Sequence, residues 1–145
     1  MFRVLIVDDE EEVRMALARR MEREGYFVDI AGSEGEGLAA IKEADMPYDV
    51  VVTDMNMGDS SSGVRILEGA VSRDVFTEVV VLTAYGNVAN AVECMKRGAF
   101  DYVEKNLPGI DVFELIVLKV EEAGRRRRQS VQTIRRLEDF QKQQG

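Results

Sequence analysis

The feature that most constrains the fold of this chain is a continuous apolar run at residues 50–52, which is followed by the polar residues Thr53 and Asp54. An apolar run without alternation is typical of a strand that is covered on both faces of a sheet. Similar runs precede Asp8 and Thr83, and a shorter one precedes Lys105. Polar side chains that follow such strands lie at the carboxyl edge of the sheet, where open α/β sheets bind ligands. Asp54 is therefore the first candidate for a reacting group.

Helical patterns alternate with these strands along the whole chain. Strands are predicted at residues 2–7, 26–31, 48–53, 78–82 and 100–104. Apolar residues at spacings of three and four follow each strand, and Ser33 with Glu36 forms a capping box for the second helix. Five strand-helix units predict a doubly wound α/β fold, with a five-stranded parallel sheet and helices on both faces.

Length and composition narrow the classes of function. A chain of 145 residues fits one domain with a short extension. The absence of histidine excludes His-ligated zinc sites, Ser-His-Asp triads and imidazole acid/base catalysis. The only cysteine, Cys94, lies in an apolar-periodic helix and is expected to pack in the core. No apolar run approaches the roughly 20 residues of a membrane span and no signal peptide is evident, so a cytoplasmic protein is expected.

Five polar residues should meet at the carboxyl edge of the sheet: Asp8, Asp9, Asp54, Thr83 and Lys105. Close carboxylates repel by roughly 4 kcal/mol per pair at an effective dielectric constant near 20, so such a cluster requires a cation. Carboxylate ligands without soft donors favour Mg²⁺, or Mn²⁺, over zinc. With Lys105 and the Thr83 hydroxyl, the metal would neutralise and orient a phosphoryl group. Asp54 could then act as a nucleophile that forms an acyl-phosphate.

Four separated motifs carry a resemblance to a known family. They are Val7-Asp8-Asp9-Glu10, Val52-Thr53-Asp54-Met55-Asn56-Met57, Leu82-Thr83-Ala84-Tyr85 and Gly98-Ala99-Phe100-Asp101-Tyr102-Val103-Glu104-Lys105. In this order and spacing they closely resemble the receiver domain of two-component response regulators, over residues 3 to about 123. The resemblance implies a flavodoxin-like sheet with strand order 2-1-3-4-5. It also implies a phosphorylation-activated signalling switch that is not an enzyme, apart from its own phosphorylation and slow autodephosphorylation.

The resemblance also implies roles for residues of the metal and acceptor site. Asp54 would accept a phosphoryl group from the phosphohistidine of a partner sensor histidine kinase, in a Mg²⁺-dependent reaction. Asp9 would bind Mg²⁺ directly, Asp8 would act largely through water, and Asp54 would be a further ligand. The backbone carbonyl of Asn56 would complete the protein ligands.

The remaining implied roles concern the switch. Thr83 and Lys105 would grip the phosphoryl oxygens, and the Thr83 loop would move inward. Tyr102 matches the aromatic residue that swings inward on activation, although an ordinary half-buried edge tyrosine is the alternative. Asn56 and Tyr85 occupy the positions that tune hydrolysis of the acyl-phosphate.

Two loops depart from the family pattern. Gly58 replaces the usual proline after the phosphoacceptor, and the loop that runs to Gly63 is one residue longer, which predicts a more mobile loop. Asn106 follows Lys105, where the family has a proline whose peptide bond is often cis. A cis bond before Asn106 would cost about 2.5 to 4 kcal/mol, so a trans bond and a rebuilt loop are predicted.

The last part of the chain differs from the rest in charge. Residues 124–145 carry a net charge of +5, while residues 1–123 carry −13, which argues against direct nucleic-acid binding by residues 1–123. We predict a receiver domain at 1–123 and a helical linker or dimerisation tail at 124–145, which extends the last helix past Gly124. The run of arginines at 125–128 favours a solvated helix face over a nucleic-acid site. A coiled coil remains open, because Arg127 and Ser130 interrupt the heptads.

The tail predicts a homodimer or an attached output domain, but not which one. The segment from Thr83 to Lys105 looks like receivers joined to ATPase-type transcription activators, and receivers fused to sensor kinases look similar. Two other functions are alternatives. A Mg²⁺-dependent aspartyl-phosphate phosphatase usually has a second acid where Asn56 stands, and a cap insertion is absent. A pure interaction module would not need to retain all five polar residues of the sheet edge.

Overall fold

The structure is a computed structural model that describes residues 1–84 and 86–144. Within these residues, strands and helices alternate along the chain. The strands are β1 (Arg3–Val7), β2 (Phe27–Ala31), β3 (Val50–Asp54), β4 (Glu78–Thr83) and β5 (Asp101–Glu104). The helices are α1 (Glu11–Arg23), α2 (Glu34–Glu43), α3 (Ser62–Arg73), α4 (Val88–Lys96) and α5 (Val112–Gln144). The predicted alternation is confirmed, and the predicted strand ends lie within two residues of those observed.

The strands form one parallel sheet in the order β2-β1-β3-β4-β5, which confirms the predicted topology. The chain reverses its direction of travel across the sheet after β2, so β1 and β3 lie side by side at the topological switch point. Their carboxyl ends therefore flank a crevice. In the register of the sheet, Val7 faces Thr53 and Asp54 faces Leu82.

Two apolar layers cover the two faces of the sheet. Alternate residues of the strands, such as Leu5 and Val51, pack with α2, α3 and α4 on one face. Their neighbours, such as Ile6 and Val52, pack with α1 and α5 on the other. Because both faces are buried, the central strands are apolar throughout, which is the pattern that predicted them. Cys94 is fully buried in the first layer with its Sγ 3.7 Å from Met55 Sδ, as expected for a packing residue.

The start of α2 confirms the predicted cap with one difference. Ser33 Oγ accepts a hydrogen bond from the Glu36 backbone N–H at 3.1 Å. Glu36 reaches back to accept a hydrogen bond from the Gly32 N–H at 2.8 Å, one residue before the position that a capping box uses.

Helix α5 is continuous from Val112 to Gln144, so residue 123 lies inside it. Gly124 is buried against the ring of Phe2, where a side chain would overlap the ring. Arg127 packs at the amino-terminal edge of the sheet, with its Nε 2.9 Å from Asp49 Oδ1 and its Nη2 3.4 Å from Asp74 Oδ2. The arginine run is therefore not a uniformly solvated face, since one of its members is largely buried.

The other charges on α5 lie closer to solvent. Glu121 and Arg125 form an i,i+4 pair at 3.4 Å. Arg126 lies 3.6 Å from Glu78 Oε1 on β4. Among the described helices, none combines the length and the apolar character needed to cross a bilayer.

Candidate functional site

The fold brings the predicted polar residues to the carboxyl edge of the sheet. Asp54 is the last residue of β3, and Thr83 is the last residue of β4. Asp8 and Asp9 directly follow β1, and Lys105 directly follows β5. Asp8, Asp54 and Thr83 are buried, at 0%, 5% and 6% exposure. This placement follows from the parallel sheet, because all carboxyl ends of parallel strands lie at one edge.

Lys105 is the electrostatic centre of this edge. Its side chain is only 8% exposed, and three carboxylates surround its ammonium. Nζ lies 2.8 Å from Asp8 Oδ2, 3.0 Å from Glu10 Oε1 and 3.3 Å from Asp54 Oδ2. Lys105 follows the edge strand β5. Its backbone N–H donates to the Thr83 carbonyl at 2.7 Å, which holds the lysine beside the end of β4. One cation therefore offsets part of the repulsion among the three acids.

Burial dominates the ionisation of the two buried acids. It raises the pKa of Asp54 to about 6, with Lys105 opposing the rise and the charge of Asp8 adding to it. Burial also raises the pKa of Asp8, against the hydrogen bonds from Lys105 and from the Glu10 backbone N–H. Burial alone would lower the pKa of Lys105, but the hydrogen bond to Asp8 and the surrounding carboxylates raise it overall. The lysine stays charged, and the acid cluster retains excess negative charge.

The donor set at this edge fits a hard divalent cation. One carboxylate oxygen from each of Asp8, Asp9, Glu10 and Asp54 lies within 4.8 Å of the others. Two oxygens that bind the same Mg²⁺ at about 2.1 Å are at most about 4.2 Å apart, so these oxygens would move closer together around a bound ion. The set contains only oxygen donors, which Mg²⁺ and Mn²⁺ prefer. The residues that the structure places together can therefore hold such an ion.

Asp8 and Asp9 differ in their availability. Both oxygens of the fully buried Asp8 are engaged, because Oδ2 contacts Lys105 and Oδ1 accepts from the Glu10 backbone N–H at 2.9 Å. Asp9 is exposed and lines the cleft above Asp54. Among the described residues nothing engages the Asp9 carboxylate, so its oxygens can approach a cation directly.

The cleft over Asp54 has a volume of about 250 Å³. It is lined by Asp9, Glu10, Asp54, Met55, Asn56, Ser60, Thr83, Ala84 and Asn90. Asn56 is exposed, and its backbone N–H points to Asp54 Oδ1 at 3.5 Å. Gly63 lets α3 approach the cleft floor, since a Cβ at this position would lie 2.8 Å from the Met55 Cα. A group of phosphoryl size has room above the Asp54 carboxylate.

Glu10 is a member of the site that the sequence analysis missed. Acids in a first helical turn have an ordinary explanation in the helix dipole, and no spacing rule separates Glu10 from Glu11 and Glu12. In the structure Glu10 is the N-cap residue of α1, and its side chain makes no capping hydrogen bond. It reaches Lys105 instead. The absence of a Ser, Thr, Asp or Asn at this cap is the signal that could have identified it.

The two loops that depart from the family pattern contain Gly58 and Asn106. Gly58 has a φ of +86°, a conformation that proline cannot adopt. The described residues contain no cis peptide bond, so the trans bond between Lys105 and Asn106 is confirmed. Asn106 Nδ2 donates to the Ala84 carbonyl at 3.0 Å and ties this loop to the loop after β4.

Tyr102 lies on β5 beside Val81 of β4 and packs partly buried against the first apolar layer. Its hydroxyl is buried and has no hydrogen-bond partner among the described residues. Tyr85, the other predicted tyrosine, lies outside the described residues.

Comparisons of the sequence and of the structure with known proteins indicate the same family. The family model for the response regulator receiver domain matches residues 4–117. The chain is 40% identical over 114 residues to the acid tolerance regulatory protein ActR of Sinorhizobium medicae, covering 79% of this chain and 57% of ActR. It thus spans less than two thirds of the length of that relative.

Solved structures agree with the sequence match. A receiver domain protein from Clostridium thermocellum superimposes with a TM-score of 0.77 at 30% identity, covering 88% of this chain and 98% of the other. A response regulator from Burkholderia pseudomallei with a phosphorylated aspartic acid, calcium ion and citrate gives a TM-score of 0.71 at 27% identity. It covers 95% of this chain and 75% of the other.

Proposed function

Because this chain belongs to the response regulator receiver domain family, we propose that it is a phosphorylation-activated signalling switch of a two-component system. Asp54 accepts the phosphoryl group from the phosphohistidine of a partner sensor histidine kinase. The observation that carries this proposal is the position of Asp54, a buried carboxylate at the floor of a cleft, 3.3 Å from a buried lysine. The phosphorylated aspartic acid of the Burkholderia pseudomallei regulator supports it.

The transfer step uses the Asp54 carboxylate as nucleophile. One Oδ attacks phosphorus, so a P–O bond forms while the P–N bond to the donor imidazole breaks. The imidazole keeps the electron pair of that bond and takes up a proton from water. Since the pKa of Asp54 is about 6, the carboxylate is mostly ionised at neutral pH and can attack. Lys105 and the Thr83 hydroxyl hold the phosphoryl oxygens after transfer.

A bound Mg²⁺, or Mn²⁺, supplies charge compensation for the phosphoryl oxygens. We assign Asp9 and Asp54 as direct ligands, Asp8 as a ligand largely through water, and the Asn56 backbone carbonyl as the further protein ligand. The engagement of both Asp8 oxygens and the exposure of Asp9 support this division.

A cavity of about 630 Å³ beside the cleft supports a protein phosphodonor. It lies between α1 and the β5–α5 loop and shares Glu10 and Lys105 with the site. Val13, Leu107 and Phe113 contribute apolar lining. A donor histidine can reach Asp54 only if its protein covers the surface around the cleft, so we propose that the kinase packs here.

Phosphorylation is proposed to change the switch residues Thr83 and Tyr102, while Asn56 and Tyr85 tune hydrolysis of the acyl-phosphate. The buried Tyr102 hydroxyl has no hydrogen-bond partner among the described residues. This supports a second side-chain conformation in which the hydroxyl is hydrogen-bonded. The protein turns over no external substrate, and its chemistry is limited to its own phosphorylation and slow dephosphorylation.

The output is proposed to leave through α5. Residues 1–123 act as the receiver and residues 124–145 as the helical tail that reaches a second copy or an output domain. Exposed apolar side chains on the tail, Ile134, Leu137 and Phe140, support a protein contact there. Transcription regulation in the cytoplasm, together with a cytoplasmic kinase domain, is the proposed setting. The name of ActR, an acid tolerance regulatory protein, supports a regulatory role.

Incubation with Mg²⁺ and acetyl phosphate, followed by intact mass measurement, tests the proposal. The protein should gain the mass of one phosphoryl group, and Asp54→Asn should gain none while keeping its fold. EDTA should prevent the gain. Labelling of Asp54→Asn would place the acceptor elsewhere, an unlabelled wild-type protein would favour an interaction module, and multiple turnover of phosphate esters would indicate a phosphatase.

A further inference from the structure

Glu10 stands between the phosphoacceptor cleft and the larger neighbouring cavity. It lines both, and it is the N-cap residue of α1 with an extended backbone. Its side chain is 57% exposed, whereas the side chains of its neighbours Lys105 and Asp8 are 8% and 1% exposed. Glu10 therefore closes the solvent side of the buried ion cluster.

The ammonium of Lys105 already has acidic partners in this arrangement. An ammonium has three N–H donors. Three carboxylates, from Asp8, Glu10 and Asp54, lie 2.8 to 3.3 Å from Nζ. Glu10 Oε1 accepts a hydrogen bond from Nζ at 3.0 Å, whereas Asp8 Oδ2 has no hydrogen-bond partner among the described residues. A phosphoryl oxygen that arrives at Asp54 competes with these carboxylates for the same ammonium.

The three contacts are unequal in how easily they end. Asp8 is fully buried, so its release would leave an unpaired charge away from water, which is costly. Asp54 is the acceptor itself and stays beneath the phosphoryl group. Glu10 is more than half exposed, and water can replace its contact at little cost. The contact that yields is therefore the one between Glu10 and Lys105.

We propose that Glu10 is a positioning residue that acts through Lys105, as an internal competitor of the phosphoryl group. Its carboxylate occupies the ammonium in the unphosphorylated site and has to leave when an anion binds above Asp54. This inference rests on the proposed function, because it assigns Glu10 a part in that reaction. Glu10, the third acid after β1, thereby has a role beyond its interaction with the helix dipole.

The same carboxylate acts in the opposite direction on a cation. One of its oxygens lies within 4.8 Å of an oxygen of each of the other acids, so its charge attracts a divalent ion to the cluster. Removing the charge should weaken cation binding and strengthen anion binding. A loss of structure at the site would weaken the binding of both the cation and the anion. Weaker cation binding together with stronger anion binding therefore identifies the competition.

The test compares Glu10→Gln with Glu12→Gln in the full chain, by NMR titration of backbone amide shifts. Glu12 is an exposed acid in the first turn of the same helix, so its variant removes the same charge away from Lys105. Glu10→Gln should weaken binding of Mg²⁺ alone by about threefold, a modest effect because solvent screens exposed charges. At saturating Mg²⁺ it should tighten binding of beryllofluoride by about threefold, for the same reason. Glu12→Gln should change neither.

Each other outcome contradicts a defined part of the argument. Beryllofluoride binding that is unchanged or weaker in Glu10→Gln overturns the competition while leaving the proposed function in place. Equal effects of Glu10→Gln and Glu12→Gln would reduce the effect to overall charge and also overturn it. A wild-type protein that does not respond to beryllofluoride with Mg²⁺ overturns the proposed function and this inference together.

Discussion

The structure makes a specific prediction about Arg127, which anchors the last helix to the amino-terminal edge of the sheet. Its side chain is 13% exposed and lies between Asp49, which precedes β3, and Asp74, which follows α3. These two acids are themselves only 23% and 21% exposed. Arg127→Ala removes the guanidinium and leaves both carboxylates without this partner.

The expected loss follows from the partial burial of this group. Removing one partner of a fully buried ion pair costs about 3 to 5 kcal/mol, and an exposed pair costs less than about 1 kcal/mol. Arg127 lies nearer the buried limit, but both acids retain some contact with water. We therefore expect a loss of about 2 to 3 kcal/mol in the free energy of unfolding. For a chain of this size that loss lowers Tm by about 5 to 10 °C.

Urea unfolding followed by circular dichroism measures this loss, with Arg125→Ala as the matched control. Arg125 belongs to the same arginine run, but it is 56% exposed and pairs only with Glu121 among the described residues. Its removal should cost less than about 0.5 kcal/mol. If both variants lose the same small amount, the ion pairs of Arg127 contribute no more than surface pairs, and the anchoring role is refuted.

Three further predictions concern side-chain space and ionisation. Gly124→Ala should destabilise the protein by about 1 to 3 kcal/mol, because the new Cβ would overlap the Phe2 ring. Gly35→Ala should stabilise it by about 0.5 kcal/mol, because a Cβ there meets open space and alanine favours the helix. Thermal unfolding of the two variants measures the difference. Tyr102→Phe should raise the free energy of unfolding by about 1 kcal/mol in urea titrations, because it removes a buried hydroxyl without a partner. The pKa of Asp54 is raised from 3.8 to about 6, so the folded state loses stability as pH rises from about 4 to 6. In EDTA, Asp54→Asn should therefore match the wild type below pH 4 in urea unfolding and exceed it above pH 6, by about 2 to 3 kcal/mol.

The fold could be predicted from the sequence because the central strands are buried on both faces. The apolar runs that end at Asp54 and Thr83 are typical of strands in the interior of a parallel sheet, and the structure buries them there. Once the sheet is parallel, the polar residues after the strands have to share an edge. The placement of Asp8, Asp9 and Lys105 followed from the same rule, and the structure brings Asp8 and Lys105 within 2.8 Å.

Helical periodicity could not single out Glu10 and Arg127, for one physical reason. Both lie in runs of like charge, the acids at 8–12 and the arginines at 125–128, where neighbouring residues have the same chemistry. Whether one member is buried depends on contacts far away in the sequence, 95 residues for Glu10 with Lys105 and 78 for Arg127 with Asp49. Helical periodicity does not predict such contacts, because it indicates only which residues share a face of the helix.

The two anchors lie at opposite ends of the same central strand. Asp49, which binds Arg127, precedes β3, and Asp54, which contacts Lys105, ends it. The residues between them are fully buried and hydrogen-bonded to strands on both sides, so β3 is a rigid connection between Asp54 and the base of α5. A rigid strand does not transmit a change by bending, because packed interiors resist deformation. On the proposed function, the anchored base of α5 is a fixed reference, and we expect the signal from Asp54 to travel through the loops after β4 and β5, where Asn106 joins the two.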